Sequence, residues 1–201
     1  TSYKFTDVEF NQYPRYFNTP NQIGLAKKIA SLEGAESGLI FSSGMAAISN
    51  ALLSHLKSGD HVIFQSDLYG GTRNFIKKEF PKYEIDFSFT DGISVTDFEN
   101  KIKDNTQGIY IETPSNPTLK IVDLSSISEL AKDKNIWTMI DNTFASPVNQ
   151  NPIKYGIDIV LHSATKYLGG HSDICAGAVL GSKESIERIF NLAKSLGGSL
   201  S

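Results

Sequence analysis

The sequence predicts an α/β fold: a mostly parallel sheet with flanking helices. Two observations carry this. Short apolar runs rich in β-branched residues alternate, at close spacing, with segments of helical periodicity. The runs are apolar nearly throughout, as strands buried on both faces are. A sheet of this kind gathers its strand ends and their loops on one side, where ligands bind.

Taken in order, residues 1–20 form an aromatic arm containing Tyr3, Phe5, Phe10, Tyr13, Tyr16 and Phe17, with Pro14 and Pro20 opposing helix. Ile23, Ala26, Ile29 and Ala30 predict a helix closed by Gly34. Gly38–Phe41 is a strand, and Ser42-Ser-Gly44-Met45 opens a helix through Ile48, Leu52 and Leu56. His61–Phe64 is a strand, 67–72 a loop, Asn74–Phe80 a short helix and Glu84–Phe89 a strand. A helix over Val95–Lys103 precedes a strand at Gly108–Glu112. Two prolines make 113–117 a loop. Asp123 caps a helix through Ile127, Leu130 and Ala131. Strands follow at Trp137–Asp141, Ile157–Leu161 and Ala176–Leu180, then a helix over Glu184–Leu196. The expected organisation is an arm over 1–20 and one large domain over 21–201.

The bulk numbers exclude several classes. A net charge of −3 without a basic, aromatic-interleaved cluster argues against a nucleic-acid module. No apolar run approaches a membrane span, and the N-terminal residues are not those of a signal peptide. A single cysteine, Cys175, permits no internal disulfide and fits a reducing, cytoplasmic compartment. The first residue is not methionine, which points to processing or truncation.

Chemistry concentrates in the loops. Lys166 follows the Ile157–Leu161 strand, between Thr165 and Tyr167 and ahead of two glycines. Ser42-Ser-Gly44-Met45 joins a strand to a helix, where backbone N–H groups can hold an anion, although neither a P-loop nor G-x-G-x-x-G is present. Asp141 ends an apolar strand, and a buried carboxylate needs a partner. Tyr69, in a glycine-flanked loop, can stack on a flat ring. His162 and His171 form no metal-ligand pattern, so no metal is expected, and no nucleophile elbow occurs. Singly these features also fit a structural lysine, a plain N-cap, a salt bridge and a surface tyrosine. One ligand reconciles all four: a phosphate, a ring, a ring nitrogen needing an anion and an aldehyde needing an amine. That ligand is pyridoxal 5′-phosphate (PLP).

Six motifs then carry a resemblance: Tyr13-x-Arg15…Asn18; Ser-Gly44-Met45; Asp67-x-Tyr69-Gly-Gly-Thr72; Glu112-Thr-Pro-Ser-Asn-Pro117; Asp141-Asn-Thr143-Phe; and Ser163-Ala-Thr-Lys166-Tyr-Leu-x-Gly-His-Ser-Asp173. Together they resemble the Cys/Met metabolism PLP-dependent enzymes of trans-sulfuration. These include cystathionine γ-synthase, cystathionine β- and γ-lyases, methionine γ-lyase and O-acylhomoserine sulfhydrylases. The resemblance implies a large domain of the type I PLP-transferase fold. It implies that Lys166 forms a Schiff base with PLP and shuttles protons, and that Tyr69 stacks on the ring. Asp141 would hold the ring nitrogen. Gly44 and Met45 amides with Ser163 and Thr165 hydroxyls would hold the phosphate. Asn116 and Thr143 belong to the same cofactor-binding set. Tyr13 and Arg15 would reach a neighbouring subunit's phosphate, implying a homo-oligomer, a dimer at least, with a tetramer expected. The implied activity is C–S lysis of a small sulfur amino acid such as cystathionine. The alternatives are γ-replacement on an activated homoserine, or a non-catalytic fragment keeping only the cofactor fold. Gly71 stands where methionine γ-lyases commonly carry cysteine. The resemblance also implies a C-terminal domain that grips the substrate carboxylate, and that domain is expected to lie outside these 201 residues.

Overall fold

A computed structural model describes residues 12–201. The expectations for Tyr3, Phe5 and Phe10 lie outside the described residues. The chain divides into two compact units, Thr1–Ser54 with Leu161–Ser201, and His55–Val160.

In the first unit, Tyr13 leads into a 3-10 turn at Pro14–Tyr16, and helix α1 spans Pro20–Glu33. Thr19 and Gln22 cap α1 reciprocally, Pro20 occupies the first turn, and Gly34 closes the helix at φ 73°. Strand β1 (Ser37–Phe41) leads to helix α2 (Gly44–His55). After β6 (Ile159–His162) come β7 (Gly177–Gly181) and α7 (Lys183–Leu196), capped by Ser182. β1 and β7 pair antiparallel, from Ser37 opposite Gly181 to Phe41 opposite Gly177. Helices α1 and α7 pack on both strands. Their apolar stripes, among them Ala26, Ile29, Ile186 and Ile189, are buried there.

The second unit is a parallel ladder flanked by helices. Its strands are β2 (His61–Phe64), β3 (Asp86–Phe89), β4 (Thr106–Glu112) and β5 (Trp137–Asp141). β2 pairs with β3 and β4, and β4 pairs with β5, all parallel. Helix α3 spans Gly70–Glu79, α4 Val95–Glu99, α5 Leu124–Lys134 and α6 Ser146–Asn149. Asp123 caps α5 by accepting from Ser125 and Ser126 N–H. Phe64, Phe80, Phe89 and Tyr110 form a continuous aromatic core. His61, buried at the start of β2, bridges Thr106 Oγ1 at 2.8 Å and Ser88 Oγ at 2.9 Å. Burial pushes its imidazole pKa down.

The mostly parallel α/β class is as expected, and several boundaries differ. Helix α3 begins at Gly70, not Asn74, so the expected Gly-Gly loop is the helix's first turn. Helix α4 stops at Glu99 rather than Lys103, where 3-10-type bonds from Lys101 to Phe98 and Ile102 to Glu99 unwind it. Strand β3 begins at Asp86, because Glu84 has φ 56° and cannot extend a strand. Ile157 and Asp158 precede β6; Asp158 instead ties itself to Thr138, accepting from its N–H and hydroxyl at 2.8 Å each. Among the described residues, no helix is long and apolar enough to cross a membrane.

Candidate active site

The first unit builds an anion cradle and an exposed amine. Ser43 is the cap of α2: its carbonyl accepts from Ala47 N and its hydroxyl from Ala46 N at 3.0 Å. Two close approaches fix this helix start. A Cβ on Gly44 would lie 2.8 Å from Ser163 Cβ, and one on Gly177 would lie 2.1 Å from Ser43 O. Backbone of the α2 start is therefore packed directly on the residue that follows β6. Gly44 and Met45 open this twelve-residue helix, and the first turn of a helix is where backbone N–H groups can hold an anion.

From Ser163 the chain makes a tight turn. Lys166 N donates to Ser163 O at 3.0 Å, Gly169 N to Ala164 O at 2.8 Å and Gly170 N to Lys166 O at 2.7 Å. Gly170 has φ 79°, which requires glycine. Lys166 is thus on a hydrogen-bonded turn with an exposed side chain, three residues beyond the Gly44 contact. The Thr165 hydroxyl donates to Ala176 O at 3.1 Å and accepts from Ala176 N at 3.0 Å. It staples the lysine turn to the entry of β7. Beneath the turn, His162 Nε2 meets Glu33 Oε1 at 2.5 Å, with both side chains buried. Arg15 is exposed and lies on its own chain, Nη1 donating to Lys194 O at 2.7 Å and the guanidinium stacked on Tyr16 at 4.7 Å. The C-terminal carbonyls of α7 attract a cation. Tyr13 packs edge-on against Tyr16.

The second unit builds an acidic ladder end. Asp141 closes β5, is 6% exposed, and accepts from Thr143 N at 3.0 Å. Directly across the ladder stands Glu112, 5% exposed. Its Oε2 accepts from Tyr69 N at 2.8 Å and its Oε1 from Asn116 N at 2.6 Å. Its own N–H donates to Gln65 Oε1 at 3.0 Å. Burial, and then the facing Asp141 charge, push the Glu112 carboxyl up to about 8, against the pull of the two amides. Burial and the same two carboxylates hold the Tyr110 phenol well above its ordinary range. Tyr69 is 46% exposed at the start of α3, its ring lying over Gly71, where a Cβ would come within 2.4 Å of Tyr69 Cε1. The Thr113–Pro114 and Asn116–Pro117 peptides that shape the Asn116 loop are both cis. Arg73 serves the fold, donating to Ser66 O at 2.5 Å and covering Phe89.

Each unit therefore gathers its share of the expected residues: Gly44, Met45, Ser163, Thr165 and Lys166 in one, Tyr69, Asn116, Asp141 and Thr143 in the other. These donor sets fit PLP. The helix start excludes any side chain at 44, the lysine is exposed, and Asp141 is a buried acid able to meet a ring N–H. Sequence reasoning gave Glu112 no role and missed Glu33. The signal for Glu112 was the one used for Asp141, a carboxylate at the end of an apolar strand.

Comparison with known proteins agrees. The chain is 47% identical over 190 residues to a cystathionine β-lyase of Lactococcus lactis subsp. cremoris, covering 94% of this chain and 50% of that protein. It is 45% identical over 190 residues to a cystathionine γ-lyase of Bacillus subtilis, with the same coverage. Among solved structures, cystathionine γ-lyase from Lactobacillus plantarum complexed with L-serine superposes with a TM-score of 0.92 at 39% identity, covering 100% of this chain and 53% of that one. The chain spans about half the length of the curated relatives it matches. Residues 1–201 match the family model of the Cys/Met metabolism PLP-dependent enzymes, and the chain belongs to that family.

Proposed function

We propose that this chain carries the cofactor-binding residues of a PLP-dependent carbon–sulfur lyase, acting by β- or γ-elimination on a cystathionine-like amino acid. The observation that carries this reading is the Gly44–Ser163 contact, which brings an anion-binding helix start within three residues of the exposed Lys166. Membership of a PLP-dependent family supports it, as does similarity to both a β-lyase and a γ-lyase. When bound, the cofactor supplies an electron sink for the substrate's α-carbon.

The chain's own residues do the rest. Lys166 Nζ would hold the cofactor's aldehyde, and as a free amine it would be the base that takes the substrate's α-proton. Gly44 and Met45 amides, with Ser163 Oγ, hold the phosphate. Thr165 holds the lysine turn through Ala176 and reaches phosphate only by giving up that contact. The Asp141 carboxylate accepts a ring N–H, which favours electron withdrawal, and Thr143 N fixes one of its oxygens. Tyr69 offers its exposed ring for stacking, and Asn116 its side-chain amide near the ring oxygen. Tyr13 and Arg15 serve a neighbouring copy in a homo-oligomer, Arg15 leaving Lys194 O to do so. The setting is the cytoplasm.

The test is spectroscopic. Purified protein mixed with PLP should develop the visible absorption band of lysine-bound cofactor, and Lys166→Ala should not. No band in the wild type, or an unchanged band in the variant, contradicts the proposal. Product analysis in the whole protein with cystathionine separates lysis from synthesis. Pyruvate with homocysteine marks β-elimination and 2-oxobutyrate with cysteine marks γ-elimination. Cystathionine made from activated homoserine and cysteine would replace lysis by γ-replacement.

A further inference from the structure

We propose that Glu112 is a positioning residue, one carboxyl group that locks the Tyr69 and Asn116 segments to the end of β4. This rests on the reading above, in which Tyr69 and Asn116 face the cofactor. The geometry is specific. Glu112 is buried, and its two oxygens are divided between two chain segments, Oε2 taking Tyr69 N and Oε1 taking Asn116 N. The strand end that bears it is anchored in turn. Glu112 N donates to Gln65 Oε1, Gln65 N to Tyr110 O, and Gln65 Nε2 to Asp67 O two residues before Tyr69. Asp141 stands opposite in register. The residue proposed to stack on the ring, the residue proposed beside the ring oxygen and the acid proposed for the ring nitrogen thus share one fixed point.

The titratable groups facing Glu112 are Asp141 on β5 and Tyr110 on β4. Burial, and then repulsion from Asp141, favour a proton on Glu112. Glutamine is then close to a neutral mimic in charge but not in bonding. Its amide has one acceptor oxygen, and its NH2 opposes the second backbone N–H.

Amide hydrogen exchange on the chain without cofactor decides the inference. In Glu112→Gln, one of the Tyr69 and Asn116 amides should exchange about tenfold faster, and in Glu112→Ala both should. The amides of Ile109 and Ile111, inside the ladder, should keep their protection. With PLP added, Glu112→Gln should keep the visible band yet lose most of its induced circular dichroism, which reports a fixed ring orientation. Unchanged exchange at both amides overturns the inference. So does faster exchange throughout the ladder, which would mark Glu112 as a general support of the fold. If wild-type protein takes up no PLP, the functional reading fails, while the exchange result still decides whether Glu112 clamps the two segments.

Discussion

Gly44→Ala should destabilise the protein and weaken its hold on phosphate, whereas Gly24→Ala should stabilise it. A Cβ at position 44 would lie 2.8 Å from Ser163 Cβ, 2.9 Å from Ser163 Cα and 3.1 Å from its Oγ. Carbon atoms pack comfortably at about 3.5–4.0 Å, so the α2 start and the chain after β6 must separate by at least about 0.7 Å. One obstacle is a backbone atom, which cannot rotate aside. Overpacking of this kind costs about 1–3 kcal/mol. The helix-propensity gain of about 0.5–1 kcal/mol offsets only part of it. For a chain of this size 1 kcal/mol moves Tm by about 2–4 °C, so a fall of several degrees is expected. Gly24 is inside α1 with nothing within 4 Å of its would-be Cβ, so there the propensity gain stands alone and Tm should rise by a few degrees. Thermal unfolding of the three proteins by circular dichroism reads the effect, and PLP titration reads the cradle. An unchanged or higher Tm for Gly44→Ala, or equal shifts in both variants, would refute the packing argument.

The remaining predictions concern other parts of the molecule. Gly71→Ala must displace the Tyr69 ring, which is a movable side chain; PLP affinity should fall several-fold by titration while Tm stays within a few degrees of wild type. The Glu112 carboxyl, held up to about 8 in the fold, binds its proton more tightly than the unfolded chain does. Its contribution therefore lowers stability as pH rises from the ordinary carboxylate range towards 8, by up to about tenfold in the folding constant per pH unit. Urea unfolding across that range should show a flatter profile for Glu112→Gln, and an identical slope would contradict the assignment. Glu33→Ala takes away the carboxylate that meets the buried His162 Nε2, so it should cost about 3 kcal/mol or more in urea unfolding, and Glu33→Gln less because it can still bond the imidazole.

Much of this was legible in local chemistry. Asp123 announces its helix because capping is a contact within three residues. The strands β2 and β5 match their apolar runs end to end. Illegible features depend on distant partners. Gly70 and Gly71 read as a loop because the sequence does not reveal that Tyr69's ring fills the space above Gly71. The antiparallel pairing of β7 with β1 leaves no mark on two runs that are apolar either way. The staple of Thr165 to Ala176 spans eleven residues and leaves no local mark. Glu112 sat unassigned inside a quoted motif. Its meaning comes from Asp141 across the ladder and from Tyr69, 43 residues away.

The central claim is that Lys166 is the amine that holds PLP, and borohydride tests it most directly. Reduction of the PLP-loaded protein should fix the cofactor irreversibly, and peptide mass analysis should find the added group on the peptide bearing Lys166 alone. Labelling on another lysine, or scattered over several, would contradict the account.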